Sequence, residues 1–151
     1  LRRIGSRDSI TPVDILTFIH AVAGSRVVIL DSAWKSARES ERFPHGPRLL
    51  DVIHTMVFPY YESIMSGKPD SVSRELLAGA YSAKESETVA CIPKMRSQRE
   101  FTYQNEVHFF ERHLKVGNGG GIECMRVHFD ILDGIIVIAY AGVHLECPST
   151  N

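Results

Sequence analysis

The chain has 151 residues, of which 44% are hydrophobic and 23% are charged, and its formal net charge is −1. These totals are typical of one globular domain spanning 1–151, and they exclude a global positive field that would attract nucleic acid or an anionic membrane. The three cysteines form no CxxC pair, which argues against a disulfide framework and predicts a reducing, cytoplasmic compartment. No apolar run reaches transmembrane length, so we expect no membrane association.

Helical patterns occupy the N-terminal half of the chain, about 11–81. Thr11 followed by Pro12 predicts a helix start, with a capping side chain before a proline in the first turn. Amphipathic spacing predicts further helices over 32–42, 48–66 and 74–81. Pro59 should kink or end the second of these. The short apolar run 26–30 predicts either a buried strand or the lead into the next helix.

Strand patterns occupy the C-terminal half, about 85–147. Apolar and polar residues alternate from Met125 to Ile131, Asp133-Gly134 has the composition of a tight hairpin turn, and a nearly continuous apolar run follows over 135–141. Shorter strands are predicted over 88–92, 99–103 and 107–116. Helices packed on one face of an antiparallel meander give an α+β fold, which is the fold class we expect.

The hairpin turn predicts the pairing of the last two strands. The expected pairs are Ile131–Ile136, Phe129–Ile138, Val127–Tyr140, Asp130–Val137, His128–Ala139 and Arg126–Ala141. In the preceding strand, the register that keeps apolar residues together places Leu114 beside Met125 and Phe110 beside Phe129. The same register places His113 beside Arg126 and Glu111 beside His128.

One side of this predicted sheet, which we call the polar face, carries five ionisable side chains. They are Glu111, His113, Lys115, Arg126 and His128. Metal-free cleavage of RNA needs a base, an acid and cations that stabilise the phosphorane charge. His113, His128 and Glu111 are therefore candidate catalytic residues. Lys115, Arg126 and Arg96 are candidate phosphate ligands, with Arg96 expected opposite His113.

The polar face also has a simpler interpretation, because an exposed sheet face is normally polar and charges on neighbouring strands often pair. His144 is a lower-ranked candidate, since strand alternation places it on the side away from His128 unless a bulge at Gly142 reverses the order. No metal or other cofactor is expected. The alternative is zinc bound by Cys124, His144 and Cys147, although only one pair of these has short ligand spacing.

Three motifs at the C-terminal end carry a resemblance. They are His113-Leu114-Lys115, Arg126-Val127-His128-Phe129 and Gly142-Val143-His144-Leu145. With the Asp133-Gly134 hairpin, they resemble the strand pattern of a group of small uncharacterised bacterial proteins, over about 85–145. This resemblance implies no particular activity.

The order of helices followed by a basic antiparallel sheet is also similar, more weakly, to toxins of the RelE/ParE type. That similarity implies residues on the sheet that cut ribosome-bound messenger RNA or, in the ParE branch, inhibit gyrase. The N-terminal helical half of this chain has no counterpart in those toxins.

Two functions follow as predictions. The first is a toxin-like, metal-independent ribonuclease that acts on RNA phosphodiesters through the polar face. The second is a non-catalytic module that binds a partner protein or forms a homo-oligomer, in which case the polar face is merely solvated. An open polar face would favour the first, and a face covered by the N-terminal helices would exclude it.

Overall fold

The structure is a computed structural model, and it describes residues 10–147. Its first helix, α1 (Pro12–Ala23), begins as the sequence predicts. The backbone N–H of Asp14 donates to Thr11 Oγ1 at 3.1 Å, and the N–H of Thr11 donates to Asp14 Oδ2 at 3.0 Å. This reciprocal capping box satisfies two of the N–H groups that a helix start leaves without partners. The helix ends at Gly24, whose φ of 60° suits a residue without a Cβ.

Six more α-helices follow along the chain. They are α2 (Asp31–Glu39), α3 (Gly46–Thr55), α4 (Tyr61–Met65), α5 (Asp70–Ser73), α6 (Glu87–Cys91) and α7 (Pro93–Ser97). Between α3 and α4 the helix continues through a π-helical turn, Met56–Tyr60, that contains Pro59. Proline has no N–H and crowds the carbonyl four residues before it, and the wider turn accommodates both effects. Helical backbone therefore continues past Pro59, with a π-helical turn where the sequence predicts a kink or an end.

The prediction of a strand over 88–92 is wrong, because these residues lie in α6 and at its end. Ser86 caps this helix through its side chain, which accepts from the backbone N–H of Val89 at 3.2 Å. Pro93 then opens α7 in its first turn. Both signals belong to helix starts, and they outweigh the β-branched residues Thr88 and Val89.

Five strands form one sheet, in the order β1-β7-β6-β5-β2. Their bounds are β1 (Val27–Ile29), β2 (Tyr81–Ser82), β5 (His113–Val116), β6 (Met125–Leu132) and β7 (Ile135–Val143). β1 is parallel to β7, and the other pairs are antiparallel. A separate hairpin contains β3 (Glu100–Tyr103) and β4 (Glu106–Phe109), joined by a two-residue turn at Gln104-Asn105. The α+β fold class is confirmed, with the addition that the helical half contributes β1 and β2 to the sheet.

The predicted continuous strand over 107–116 is interrupted between β4 and β5. Phe110 turns into a small second core, where its backbone N–H donates to the carbonyl of Arg99 at 2.8 Å. The interruption shifts the pairing of β5 by two residues from the predicted register. His113 consequently lies opposite His128, and Lys115 lies opposite Arg126, whereas the sequence placed His113 opposite Arg126.

A β-bulge divides the pairing of β6 with β7. Near the turn the observed pairs are the predicted ones, including Ile131–Ile136, Phe129–Ile138 and Asp130–Val137. Beyond the bulge, His128 lies opposite Tyr140 rather than Ala139, Val127 lies opposite Ala141, and Arg126 lies opposite Gly142.

Two serines of α2 explain how the bulge is tolerated. Ser32 Oγ donates to the carbonyl of Ala139 at 2.6 Å, and Ser36 Oγ accepts from the N–H of Ala141 at 2.9 Å. These bonds satisfy backbone groups that a bulge removes from the ladder.

The main hydrophobic core lies between the helices and one face of the sheet. Helix residues Ile15, Ile19 and Ile53 pack there with strand residues that include Val127 and Phe129. The opposite face carries the histidines and a small second core of Phe110, Val137 and Ala139, partly covered by the β3–β4 hairpin. Within residues 10–147, no helix is both long and apolar enough to cross a membrane.

Candidate functional site

Two histidines meet at the centre of the polar face. His113 on β5 and His128 on β6 are stacked, with ring centroids 4.9 Å apart and planes inclined by 28°. Nδ1 of His113 lies 2.8 Å from the carbonyl oxygen of Glu111, and Nδ1 of His128 lies 2.8 Å from that of Phe110. A carbonyl oxygen only accepts, so in both rings Nδ1 carries the proton and Nε2 has the lone pair of a neutral imidazole. The break between β4 and β5 supplies both carbonyls.

A buried ion pair completes this cluster. Glu85, just before α6, places Oε2 at 3.9 Å from His113 Nδ1 and 4.0 Å from His128 Nε2. Arg99 donates from Nε to the same oxygen. Its Nη1 donates to the carbonyl of Met95 at 2.8 Å, and its Nη2 donates to the carbonyl of Glu146 at 2.9 Å. Arg99 is 1% exposed, and these contacts link the loop before α6, helix α7 and the tail after β7.

Sequence reasoning missed both Glu85 and Arg99. Each lies in a short polar stretch between elements, and neither has a spacing to the histidines that a strand or helix period would reveal. The only sequence signal was the excess of basic residues over 94–115, which includes Arg99. The periodic spacing of apolar residues does not predict long-range contacts made by irregular segments.

Burial controls the protonation of the histidine pair. His128 is 1% exposed and His113 is 7% exposed. Burial lowers the pKa of His113, and burial together with the neighbouring His113 lowers the pKa of His128 well below its usual range. Both rings are therefore neutral at physiological pH. Glu85, Arg99 and the tail residue Glu146 lie over the histidines here.

A basic cleft lies beside the histidines. Lys115 and Arg126, paired across β5 and β6, line a cleft of about 420 Å³ together with Arg48 of α3 and the loop residues Gly117 and Asn118. Arg126 Nη1 donates to Cys124 Sγ at 2.9 Å and to the carbonyl of Met125 at 3.2 Å. Its Nε is buried and has no hydrogen-bond partner. This unpaired donor is enclosed by protein, so a ligand in the cleft would meet the Nη groups of Arg126 rather than Nε.

Two predicted site residues lie elsewhere. Arg96 is on α7, where it pairs with Glu100 at 2.9 Å and covers the ring of Phe109 at 4.0 Å, so it is not opposite His113 as the sequence suggested. The reason is that α7, and not a strand, precedes β3. Glu111 lies in the break before β5, and its side chain accepts from the backbone N–H of Glu85 at 3.3 Å instead of lying beside His128.

The chain matches no protein-family model, and neither a curated protein nor a solved structure matches it significantly. Its function must therefore be inferred from the geometry of the cluster and the cleft. The similarity to small bacterial proteins and to RelE/ParE-type toxins stays a prediction.

The cysteines and His144 form no metal site of the predicted kind. The bulge lies at Ala139, not Gly142, and it reverses the alternation of β7, so the ring of Tyr140 contacts His128 with centroids 5.9 Å apart. His144 Nε2 lies 4.0 Å from Cys147 Sγ, whereas Cys124 Sγ is engaged by Arg126. Across residues 10–147, the group whose His, Cys, Asp or Glu ligand atoms converge is Glu85, His113 and His128.

Proposed function

We propose that the protein binds RNA and that the basic cleft holds phosphate groups of the strand, with a toxin-like ribonuclease activity as the predicted outcome of that binding. The observation that carries this proposal is the convergence of Lys115, Arg126 and Arg48 on one cleft. Of the described residues lining the cleft, none is acidic. Cations grouped without carboxylates focus a local positive potential, even though the net charge of the chain is close to zero.

The hydrogen-bonding state of Arg126 supports the same role. A guanidinium has five N–H donors, and the contacts to Cys124 and Met125 use only Nη1, so Nη2 of this half-buried side chain can donate to an acceptor in the cleft. A phosphate oxygen is the acceptor that arginine binds best, because charge-assisted bonds to it are short and directional. Arg48 also pairs with Asp51 at 3.2 Å, but this pair is exposed and exchanges readily with solvent.

Burial changes the catalytic part of the sequence prediction. A general acid or base must reach the proton that it transfers, within hydrogen-bond distance or through one water. His128, at 1% exposure, cannot meet an RNA strand in this conformation. The proposal therefore assigns phosphate binding to the cleft and leaves His128 out of the acid–base chemistry.

We expect Lys115→Gln and Arg126→Gln each to weaken binding of single-stranded RNA roughly 10-fold at low salt. Each lost phosphate contact should also reduce the slope of log affinity against log salt by about 0.7. Fluorescence anisotropy with a labelled RNA over a range of salt concentrations measures both quantities. The matched control is Lys35→Gln on α2, whose charge is equally removed but lies outside the cleft. Absent binding by the wild type, or equal losses in all three variants, would contradict the proposal.

The same preparations test cleavage. RNA incubated with the wild type in EDTA, followed by gel analysis, separates a metal-independent ribonuclease from a protein that only binds. His113→Asn, with an unchanged melting temperature, should lose the cleavage if that histidine transfers a proton. Cleavage that appears only after a divalent metal is restored would rule out the metal-independent form.

A second candidate function rests on an apolar hollow on the helical surface. Ile10, Ile15, Phe18 and Leu50 line a hollow of about 220 Å³, and Phe18 is 47% exposed. An exposed aromatic side chain beside an apolar hollow is a surface on which a second copy could pack. We therefore also propose a self-associating module that uses this surface.

If this surface self-associates, sedimentation at increasing protein concentration should show a dimer, and Phe18→Ser should shift the equilibrium to monomer by roughly 10-fold or more in Kd. Val107→Ser is the control, since Val107 is an exposed apolar residue on β4 outside this hollow. A monomer at all concentrations would exclude self-association.

A further inference from the structure

The buried cluster of Glu85, His113 and His128 has the composition of a transition-metal site. Among the described residues, these three place one ligand atom each within 4.8 Å of the other two. Two imidazoles and one carboxylate are ligands that bind zinc in hydrolytic enzymes and Fe²⁺ in oxygenases. We propose that these side chains bind one divalent first-row transition-metal ion.

The spacing fits an ion after a small movement. Bonds of about 2.0–2.1 Å at tetrahedral angles place ligand atoms roughly 3.4 Å apart. Glu85 Oε2 lies 3.9 Å from Nδ1 of His113, the nitrogen that also faces the carbonyl of Glu111, and 4.0 Å from Nε2 of His128. A contraction of roughly 0.5 Å on the Glu85 side, and of at most about 1.4 Å between the two histidine nitrogens, would close the site.

The hydrogen bonds around the histidines prepare the rings for an ion. A metal-bound histidine almost always donates its other ring N–H to a carbonyl or carboxylate. His128 does so through Nδ1 to the carbonyl of Phe110, which leaves Nε2 directed toward Glu85. His113 makes the same kind of bond to Glu111, so an ion takes its Nε2 or replaces that bond at Nδ1. Neutral imidazoles are the form that metal binding requires.

Arg99 is a positioning residue in this proposal. Its guanidinium is fixed by the carbonyls of Met95 and Glu146, and it holds the carboxylate of Glu85 toward both histidines. A carboxylate has about four lone-pair positions, so it can accept from Arg99 and still bind an ion. The imidazoles select Zn²⁺, Co²⁺ or Fe²⁺ over Mg²⁺ and Ca²⁺, which prefer oxygen ligands.

This proposal does not rest on RNA binding, and metal binding itself tests it. The full chain, stripped with EDTA and dialysed, is titrated with Zn²⁺ by calorimetry and with Co²⁺ by visible absorption. We expect one ion per chain with a micromolar or lower Kd, and no competition from millimolar Mg²⁺. His113→Gln and Glu85→Gln should each weaken binding at least 100-fold, since loss of an outer-shell partner alone costs 10–100-fold. His108→Gln on β4, outside the cluster, should leave Kd unchanged.

A measurement on the wild-type protein tests the ligand set even if the variants fail to fold. X-ray absorption of the zinc-loaded protein should show two imidazole nitrogens and at least one oxygen at about 2.0–2.2 Å. Sulfur at about 2.3 Å would instead place the ion on cysteine and overturn the proposal. Absence of stoichiometric binding, or an equal loss of affinity in His108→Gln, would overturn it as well.

Discussion

Replacing Arg99 with methionine should lower the free energy of unfolding by about 3–5 kcal/mol. Methionine fills a similar apolar volume, but it leaves the carboxylate of Glu85 buried without its cation. The carbonyls of Met95 and Glu146 lose their donors at the same time. Removing one partner of a buried pair costs far more than the pair itself contributes, because the remaining charge stays desolvated. Urea denaturation followed by circular dichroism measures the change.

Arg96→Met is the matched control, because Arg96 also pairs with a glutamate, Glu100, which lies four residues later in the sequence, but this pair remains partly exposed. An exposed ion pair contributes about 0–1 kcal/mol, so this variant should unfold near the wild-type midpoint. The double variant Glu85→Gln/Arg99→Met should recover part of the loss, since no uncompensated charge is left. Equal effects of Arg99→Met and Arg96→Met would show that burial of Glu85 carries no penalty.

Acid should destabilise the protein strongly below about pH 6.5, the ordinary pKa of an unfolded histidine. Burial lowers the pKa of His113 and His128 in the folded state, so there the unfolded chain binds more protons than the folded protein. The stabilising contribution of these neutral rings is therefore complete above the unfolded pKa. It is lost as pH falls toward the folded pKa, by up to about 1.4 kcal/mol per pH unit for each histidine.

Unfolding free energies measured in urea at intervals from pH 8 to pH 4.5 give this slope. The charges that face the pair are Glu85, Arg99, Lys115 and Arg126, and their effects are included in the measured value. His113→Gln removes one of the two histidines, so it should reduce the slope of unfolding free energy against pH by up to about 1.4 kcal/mol per pH unit. The control is His20→Gln, which removes an exposed histidine of α1 outside this pair. A wild-type profile that is flat from pH 6.5 to 4.5 would show that neither ring is buried in neutral form.

The strongly periodic parts of the chain were predictable from sequence. The alternation from Met125 to Ile131 and the Asp133-Gly134 turn gave the β6–β7 hairpin, and Thr11 with Pro12 gave the start of α1. Lys115 and Arg126 were also expected on the same side of neighbouring strands. Each of these inferences needs only local spacing, which sequence carries directly.

The misplaced bulge and the missed Glu85 share one physical cause, since each depends on a distant partner. The bulge at Ala139 is satisfied by Ser32 and Ser36, whose helix is remote in sequence from β7. The placement of Glu85 against the histidines depends on Arg99 and on the tail after β7. In a regular strand or helix, the spacing of apolar residues predicts which side chains are buried. Irregular segments have no such spacing, so their positions depend on the assembled fold.

The edge strand β1 has a consequence for synthesis of the protein. It comes from the helical half, yet it pairs in parallel with β7, near the opposite end of the sequence. During synthesis on the ribosome, we expect the apolar faces of the first helices to stay exposed to solvent until β6 and β7 have left the exit tunnel. Non-local pairing of this kind slows folding and populates intermediates that are prone to aggregate. A nascent chain paused before Ile135 should therefore recruit chaperones, and release of the last strands should end that dependence.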